Sequence, residues 1–269
     1  MTDLTIIIPS RNEVFLTKMI NDLLAKAHGD IEIIAILDGC WIDAPIDNPK
    51  VTYLHRGQAR GMRNGINSAV AISRGKYLMK SDAHCMFADG FDIDLISNCK
   101  KNWVVVPRRY ALDPEKWEII DNPKYPIDYM YLSADLHGNV WHEKNKDPLL
   151  KKKLIDETMS NQGSVWFMPK EYFYELELMD EETYGTFWNE FQEVGLKCWL
   201  SGGQVMVNKK TWYAHWHKTG EFGRGYSLSG SNQPKALAAV EKWRDKGWHK
   251  QTLPLSWLID HFKPVPTWK

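Results

Sequence analysis

The sequence predicts an α/β fold, a sheet flanked by helices. Three observations point to it. Short β-branched runs alternate with stretches of helical apolar spacing in the amino-terminal part of the chain. The joints between these stretches are short, and no internal repeat intervenes. Strand, helix and strand in alternation with short joints imply parallel neighbours and right-handed crossovers.

The run from Leu4 to Pro9 reads as a buried strand that ends at a proline. From Val14 to Ala27, Phe15, Met19, Ile20, Leu23 and Leu24 recur at helical spacing, and His28-Gly29 ends the helix. Ile31 to Leu37 is a second strand, closed by Asp38-Gly39, and Val51 to Leu54 a short third. Gly61 to Ser73 is a helix stopped by Gly75, and Lys76 to Lys80 is a fourth strand. Val104 to Val106 is another buried strand. Residues 111–160 are polar, irregular and proline-containing, and read as an insertion that shapes the site rather than as core. Val165 to Met168 and Gln204 to Asn208 read as strands, and Lys170 to Leu178 and Trp188 to Leu200 as helices. Glycines 220, 223, 225 and 230 predict a mobile lid from Lys218 to Ser231, and a helix near Lys235 to Lys246 precedes a Trp- and Pro-containing tail.

At 269 residues the chain fits one large α/β domain or two fused halves. Hydrophobic residues make up 43% and charged residues 25%, ordinary for a globular protein. The formal net charge is +0, so global charge gives no argument for nucleic acid or membrane. Cys40, Cys85, Cys99 and Cys198 form no C-x-x-C pair, which argues against a zinc knuckle or a disulfide framework. The chain opens into a strand and has no long apolar run, so a soluble, cytoplasmic protein without a membrane partner is expected, in the host cytoplasm if the chain is viral.

The densest chemical signal is Lys80-Ser81-Asp82-Ala83-His84-Cys85, at the end of the fourth strand. In extended chain, residues two apart share a face, so Asp82 and His84 can aim an oxygen and a nitrogen at one point. A carboxylate with an imidazole suits Mn²⁺ or a similar cation that must also bind phosphate oxygens. The competing reading is a turn-capping aspartate beside a half-buried histidine. Pro9-Ser10-Arg11, Asp38-Gly39 and Asp82-Ala83-His84 all fall at carboxyl ends of strands, where ligands bind in such sheets.

With these motifs in place, the chain resembles a GT-A glycosyltransferase, a nucleotide-diphospho-sugar transferase with a Rossmann-like mixed sheet flanked by helices. The first half is similar to family 2 in Ile7-Ile8-Pro9-Ser10-Arg11-Asn12-Glu13, Leu37-Asp38-Gly39 and Arg63-Asn64-Gly65. The second half resembles the polypeptide N-acetylgalactosaminyltransferases in Asp82-Ala83-His84-Cys85, Trp188-Asn189-Glu190-Phe191-Gln192-Glu193 and Trp199-Leu200-Ser201-Gly202-Gly203. It departs from them at Asn189, where they carry glycine, and at Phe191, where they carry asparagine. Their lectin domain and membrane anchor have no counterpart, and their protein acceptor does not carry over.

The resemblance implies a catalytic domain over 1–219, with a nucleotide-sugar-binding half at 1–107 and an acceptor-side half at 108–219. A lid and carboxy-terminal tail follow at 220–269. It implies a metal set of Asp82, His84 and His215, the last in Tyr213-Ala214-His215-Trp216 with His217 as a rival. The cation would be Mn²⁺ or Mg²⁺ and would bridge the donor phosphates. Asp38 would meet the nucleoside, against the plainer reading of an Asp-Gly turn. Pro9 and Arg11 border the same pocket, and Arg63, with Arg60 as a rival, would steady the diphosphate. Glu190, kept ionised at a helix start, is the candidate catalytic carboxylate, as a base in inverting members or a support for geometry in retaining ones. Glu193, one turn on, leaves open that Glu190 serves the helix dipole alone. Trp188 would stack on a sugar and Gly163 would let backbone approach it.

The implied reaction moves a sugar from a UDP-sugar to a hydroxyl. Bases and indoles interleave from Lys242 to Lys250, which suggests nucleic acid as a candidate partner and a hydroxymethylated pyrimidine in DNA, as in some bacteriophage enzymes, as a candidate acceptor. Polysaccharide, lipid-linked and protein hydroxyls are the alternatives, as is a non-catalytic nucleotide-sugar-binding module. The oligomeric state is left open.

Overall fold

The structure, a computed structural model, describes residues 2–218 and 233–268. Strands β1 (Leu4–Ser10), β2 (Ile31–Asp38), β3 (Val51–Arg56) and β4 (Tyr77–Ser81) run parallel. All eight residues of β2 are buried, as expected of a strand covered on both faces. Helices α1 (Leu16–Lys26) and α2 (Met62–Ile72) make the crossovers, α1 through buried Leu16, Met19, Ile20 and Leu23. A short β5 (Cys85–Phe87) follows β4 directly, and α3 (Phe91–Ser97) follows it.

The second half adds β6 (Trp103–Asp113), β7 (Glu118–Ile120) and the hairpin β8 (Met130–Leu132) and β9 (Gly138–Val140). Helices α4 (His142–Lys146) and α5 (Pro148–Lys152), then β10 (Ile155–Glu157), lead to β11 (Val165–Pro169). Helices α6 (Lys170–Glu175), α7 (Glu181–Tyr184) and α8 (Glu190–Leu200) precede the long β12 (Gln204–His215). Helices α9 (Gln233–Glu241) and α10 (Leu255–Phe262) complete the chain.

The main sheet has the order β10-β12-β6-β11-β4-β1-β2-β3. It is mixed, because β11 lies antiparallel to both β4 and β6. The parallel part reverses direction at β1, which lies between β2 and β4. A cleft opens beyond the carboxyl ends of strands at such a reversal.

Three expectations need correction. Residues 111–160 are not merely an insertion: Tyr129, Leu132, Leu136, Trp141 and Met159 are buried in the larger hydrophobic core. The last strand does not stop at Asn208. It continues through a bulge to His215, and the polar run Asn208-Lys209-Lys210 that hides it is satisfied from afar, Lys209 Nζ donating to Tyr129 Oη and Leu150 O. The carboxy-terminal segment is core rather than tail. Trp243 is 0% exposed and Trp248 9%, so those indoles offer no stacking surface. The helix expected to Lys246 ends at Glu241, with a single tighter turn over Lys242–Arg244. The expected lid lies outside the described residues beyond Lys218.

Glu32 ties the start of the parallel sheet together. Its carboxylate accepts from Thr5 Oγ1 at 2.6 Å and Arg74 Nε at 2.7 Å, while Thr5 Oγ1 accepts from Gly75 N. Burial would raise this carboxyl, but the Thr5 and Arg74 hydrogen bonds outweigh it and hold it below its ordinary value. A depressed folded-state value contributes stability above the unfolded value and loses it as the pH falls through the folded one. Glu32→Gln should therefore lower unfolding stability at pH 7 by about 1–3 kcal/mol, and the gap to wild type should close near pH 3. Denaturant titrations at the two pH values check this; an equal gap at both would remove Glu32 from the acid dependence.

Candidate active site

The reversal at β1 leaves a cavity of about 750 Å³. Pro9 and Arg11 line it from the end of β1, Asp38 from β2, and Asp82 and His84 from just past β4. His215 closes it from the last residue of β12, and Trp188 from the turn before α8. The cavity thus gathers Pro9, Arg11, Asp38, Asp82, His84, Trp188 and His215, all singled out from the sequence.

The pairing of β12 with β5 brings His215 in. Tyr213, Ala214 and His215 lie opposite Phe87, Met86 and Cys85, and Trp216 N donates to His84 O. Asp82, His84 and His215 then each present a ligand atom within 4.8 Å of the others. His215 Nε2 lies 3.4 Å and His84 Nε2 3.9 Å from Asp82 Oδ2. His217, the rival, also lines the cavity, but it is not among the three gathered ligands and its Nε2 pairs with Tyr125 Oη at 3.0 Å.

The donor chemistry of this trio fits a divalent cation. Both ring nitrogens of His215 are buried and make no hydrogen bond among the described residues. Orphaned buried polar atoms are costly, and a cation between the three side chains would satisfy one of them. Burial pushes His215 down to about 3, against the pull of Asp82, so the imidazole is neutral and free to ligate. Burial would raise the Asp82 carboxyl, but Lys80 and then the histidines outweigh it and hold it well below the carboxylate range.

Two groups behind the trio were missed in the sequence. Glu13, on the turn after β1, receives His84 Nδ1 at 3.3 Å and pairs with Lys218. A carboxylate on the far nitrogen of a ligating histidine fixes its ring orientation. Lys80 is 1% exposed, and its Nζ reaches Asp82 Oδ1 at 2.7 Å, Glu190 Oε2 at 3.2 Å and the Gly163 carbonyl. Burial alone would push this ammonium down; the two carboxylates outweigh it and hold it above the lysine range. The strand pattern could have shown Lys80, since it shares the face of Asp82.

Glu190 starts α8, as expected, but stands behind the cavity wall. Trp166 Nε1 donates to Oε1 at 2.7 Å, and a β-carbon on Gly163 would lie 3.2 Å from Oε2. Gly163 therefore makes room for this carboxylate. Burial pushes the Glu190 carboxyl up, and Lys80 and Trp166 oppose it. Asn189 caps the helix at φ 58°, a left-handed conformation that asparagine tolerates, and donates from Nδ2 to Ala236 O.

Asp38 lines the cavity, yet its oxygens also organise the chain beneath. They accept from Arg60 N at 2.9 Å and Gly61 N at 2.8 Å. Gly61 has φ +92°, and a β-carbon there would lie 2.5 Å from Thr186 Cβ. Arg63 requires correction. It is 0% exposed, pairs with Glu193, donates from Nη2 to Trp188 O at 2.9 Å and lies over the Tyr184 ring. It steadies the wall that carries Trp188 and does not face the cavity, which Arg60 lines instead.

The glycosyl transferase family 2 model matches residues 5–177 of this sequence. The chain belongs to glycosyl transferase family 2. No curated protein matches it in sequence. The fold is similar to that of GalNAc-T7, solved with UDP, GalNAc and Mn²⁺, at a TM-score of 0.76 and 20% identity, over 91% of this chain and 49% of that one. It is also similar to S. aureus TarS 1–349 in complex with UDP-GlcNAc, at a TM-score of 0.59 and 13% identity, over 93% of this chain and 68% of that one. The chain spans about half the length of the GalNAc-T7 chain. These likenesses give this family 2 member the GT-A fold. Among the described residues no helix is long and apolar enough to cross a membrane.

The placement of Arg63 and Arg60 separates their effects. Arg63→Met leaves Glu193 with Lys197 as its only charged partner among the described residues and should cost about 3–5 kcal/mol of stability, with nucleotide affinity of the folded fraction unchanged. Arg60→Met should do the reverse. Thermal unfolding and UDP titration of both variants check this; a loss of UDP affinity in Arg63→Met at full folding would return Arg63 to the donor site.

Proposed function

We propose that this chain is a metal-dependent glycosyltransferase that moves a sugar from a UDP-sugar to a hydroxyl. The observation that carries the proposal is the trio Asp82, His84 and His215 on the wall of the cavity where β1 reverses the sheet order. The family, the UDP named in one similar structure and the UDP-GlcNAc named in the other support it.

In this reading Asp38 and Arg11 hold the nucleoside end, and Asp82, His84 and His215 hold a cation, Mn²⁺ by preference over Mg²⁺. When bound, that cation offsets charge on the departing diphosphate. Glu13 fixes the His84 ring. Trp188 offers a flat apolar face to the sugar. The acceptor is a hydroxyl. A hydroxymethylated pyrimidine in DNA drew its support from the interleaved bases and indoles of residues 242–250, and the burial of Trp243 and Trp248 removes the stacking part of that support.

Glu190 is a positioning residue in this reading. Both its oxygens are engaged, and it acts by balancing Lys80, which would otherwise pull fully on Asp82. Glu190→Gln should weaken Mn²⁺ binding by about 10–100-fold, with Glu190→Asp recovering part of it. Mn²⁺ titration followed by electron paramagnetic resonance reads this directly; unchanged affinity with lost turnover would make Glu190 the base instead.

UDP with Mn²⁺ should raise the melting temperature, by the equivalent of about 2.7 kcal/mol at a hundredfold excess over Kd. Chelator and His84→Ala should each abolish the metal-dependent part. A shift that survives in His84→Ala would move the cation elsewhere. Binding without UDP release in the presence of a panel of hydroxyl acceptors would favour the non-catalytic module.

A further inference from the structure

Arg108 and Arg109 sit side by side in β6 and point to opposite faces, as neighbours in a strand must. Arg108 is neutralised. Its Nε and Nη2 donate to the two oxygens of Asp128, each at 2.7 Å. Arg109 has no such partner. It is 4% exposed, its Nε and Nη1 donate to nothing among the described residues, and no carboxylate there forms an ion pair with it.

A buried guanidinium without a counter-ion is expensive, and proteins seldom retain one for structural reasons. Burial pushes Arg109 down from its ordinary value, with only tyrosines and Cys85 opposing. Its guanidinium lies over the Tyr125 ring at 5.8 Å, a contact too weak to replace a carboxylate.

The side chain borders a small cleft of about 20 Å³ beside β6. Asn161, Gln162, Ser160 and Tyr213 line it as well. Asn161 is 1% exposed and its Oδ1 also accepts no hydrogen bond among the described residues. Asp128 reaches the cleft too, but Arg108 already occupies it. The cleft shares chain segments with the residues behind the candidate site. Gln162 precedes Gly163, whose carbonyl receives Lys80, and Tyr213 Oη pairs with Ser164 Oγ two residues before His215 enters the trio. The volume admits one or two oxygen atoms and not a whole sugar.

We propose that this cleft is an anion subsite in which Arg109 receives a carboxylate or phosphate oxygen of the acceptor, with Asn161 taking a neighbouring hydroxyl. The proposal rests on the glycosyltransferase reading for the word acceptor, and on the unpaired guanidinium for the rest. It makes the acceptor an acidic sugar or a phosphate-bearing one rather than a neutral glycan.

The test compares wild type with Arg109→Met and Arg109→Lys by thermal shift, on protein freed of metal beforehand by chelation and desalted to silence the metal set. Sodium acetate and inorganic phosphate are the probes, and acetamide is the neutral control. Wild type should be stabilised by acetate or by phosphate, and which of the two acts separates the two sources of the anion. Arg109→Met should weaken that response about tenfold or more, and Arg109→Lys should keep part of it. Without anion, Arg109→Met should melt no lower than wild type, since it loses a buried charge with no partner. A lower melting temperature in Arg109→Met, or an anion response equal in wild type and Arg109→Met, overturns the subsite. UDP and Mn²⁺ binding, measured on the same variants, should be unchanged. If UDP binding fails in wild type, the glycosyltransferase reading falls, while the anion response still judges the subsite.

Discussion

The antiparallel pairing of the end of β12 with β5 is the constraint on which the site depends. Asp82 and His84 lie two apart in the short turn that joins β4 to β5, and that local turn alone brings them together. His215 comes from far along the chain, and only the register that sets it against Cys85 carries its ring to them. Because side chains alternate along a strand, a slip by one residue would turn His215 away from the cavity and bring Ala214 or Trp216 to its place. The bulge between Asn208 and Trp212 sets that register, since β12 pairs with β6 on both sides of it. The geometry of the trio therefore depends on the sheet for His215 and on the turn between β4 and β5 for Asp82 and His84.

Electrostatics behind the trio follow from the same arrangement. Lys80 is sealed in β4 between Asp82 and Glu190, and among the described residues neither carboxylate has a second lysine or arginine in ion-pair contact. One buried positive charge shared by two negative ones leaves a net negative site on the cavity side. Such a site is poised for a cation and would be frustrated without one. Glu13, one step away, inverts the arrangement, a single carboxylate shared between His84 and Lys218.

The parallel half of the fold was legible because its strands are continuous apolar runs and its helices carry a clean apolar stripe. The carboxyl-end motifs were legible because the topology of such sheets gathers strand ends. What stayed hidden was polar sequence in buried places. Asn208 and Lys209 look like a strand's end and lie inside it, their cost met by residues distant in sequence. Arg63, in a segment resembling the family pattern, looked like a donor contact, and burial opposite Glu193 gave it another task. The indoles near the carboxyl terminus read as surface because bases flank them, yet Trp243 donates to Tyr184 Oη at 2.8 Å inside the core. Composition cannot tell a snorkelling lysine beside a buried tryptophan from an exposed pair.

That hydrogen bond has a consequence for how this architecture can be recombined. Trp243 holds Tyr184, the Tyr184 ring carries Arg63, and Arg63 holds both Glu193 and the carbonyl of Trp188. Asn189 grips Ala236 from the other side. The last stretch of chain and the wall of the cleft thus form one mechanical unit. A chimera that takes its cleft from one parent and its final helices from another would splice through that unit, so the two must be inherited together.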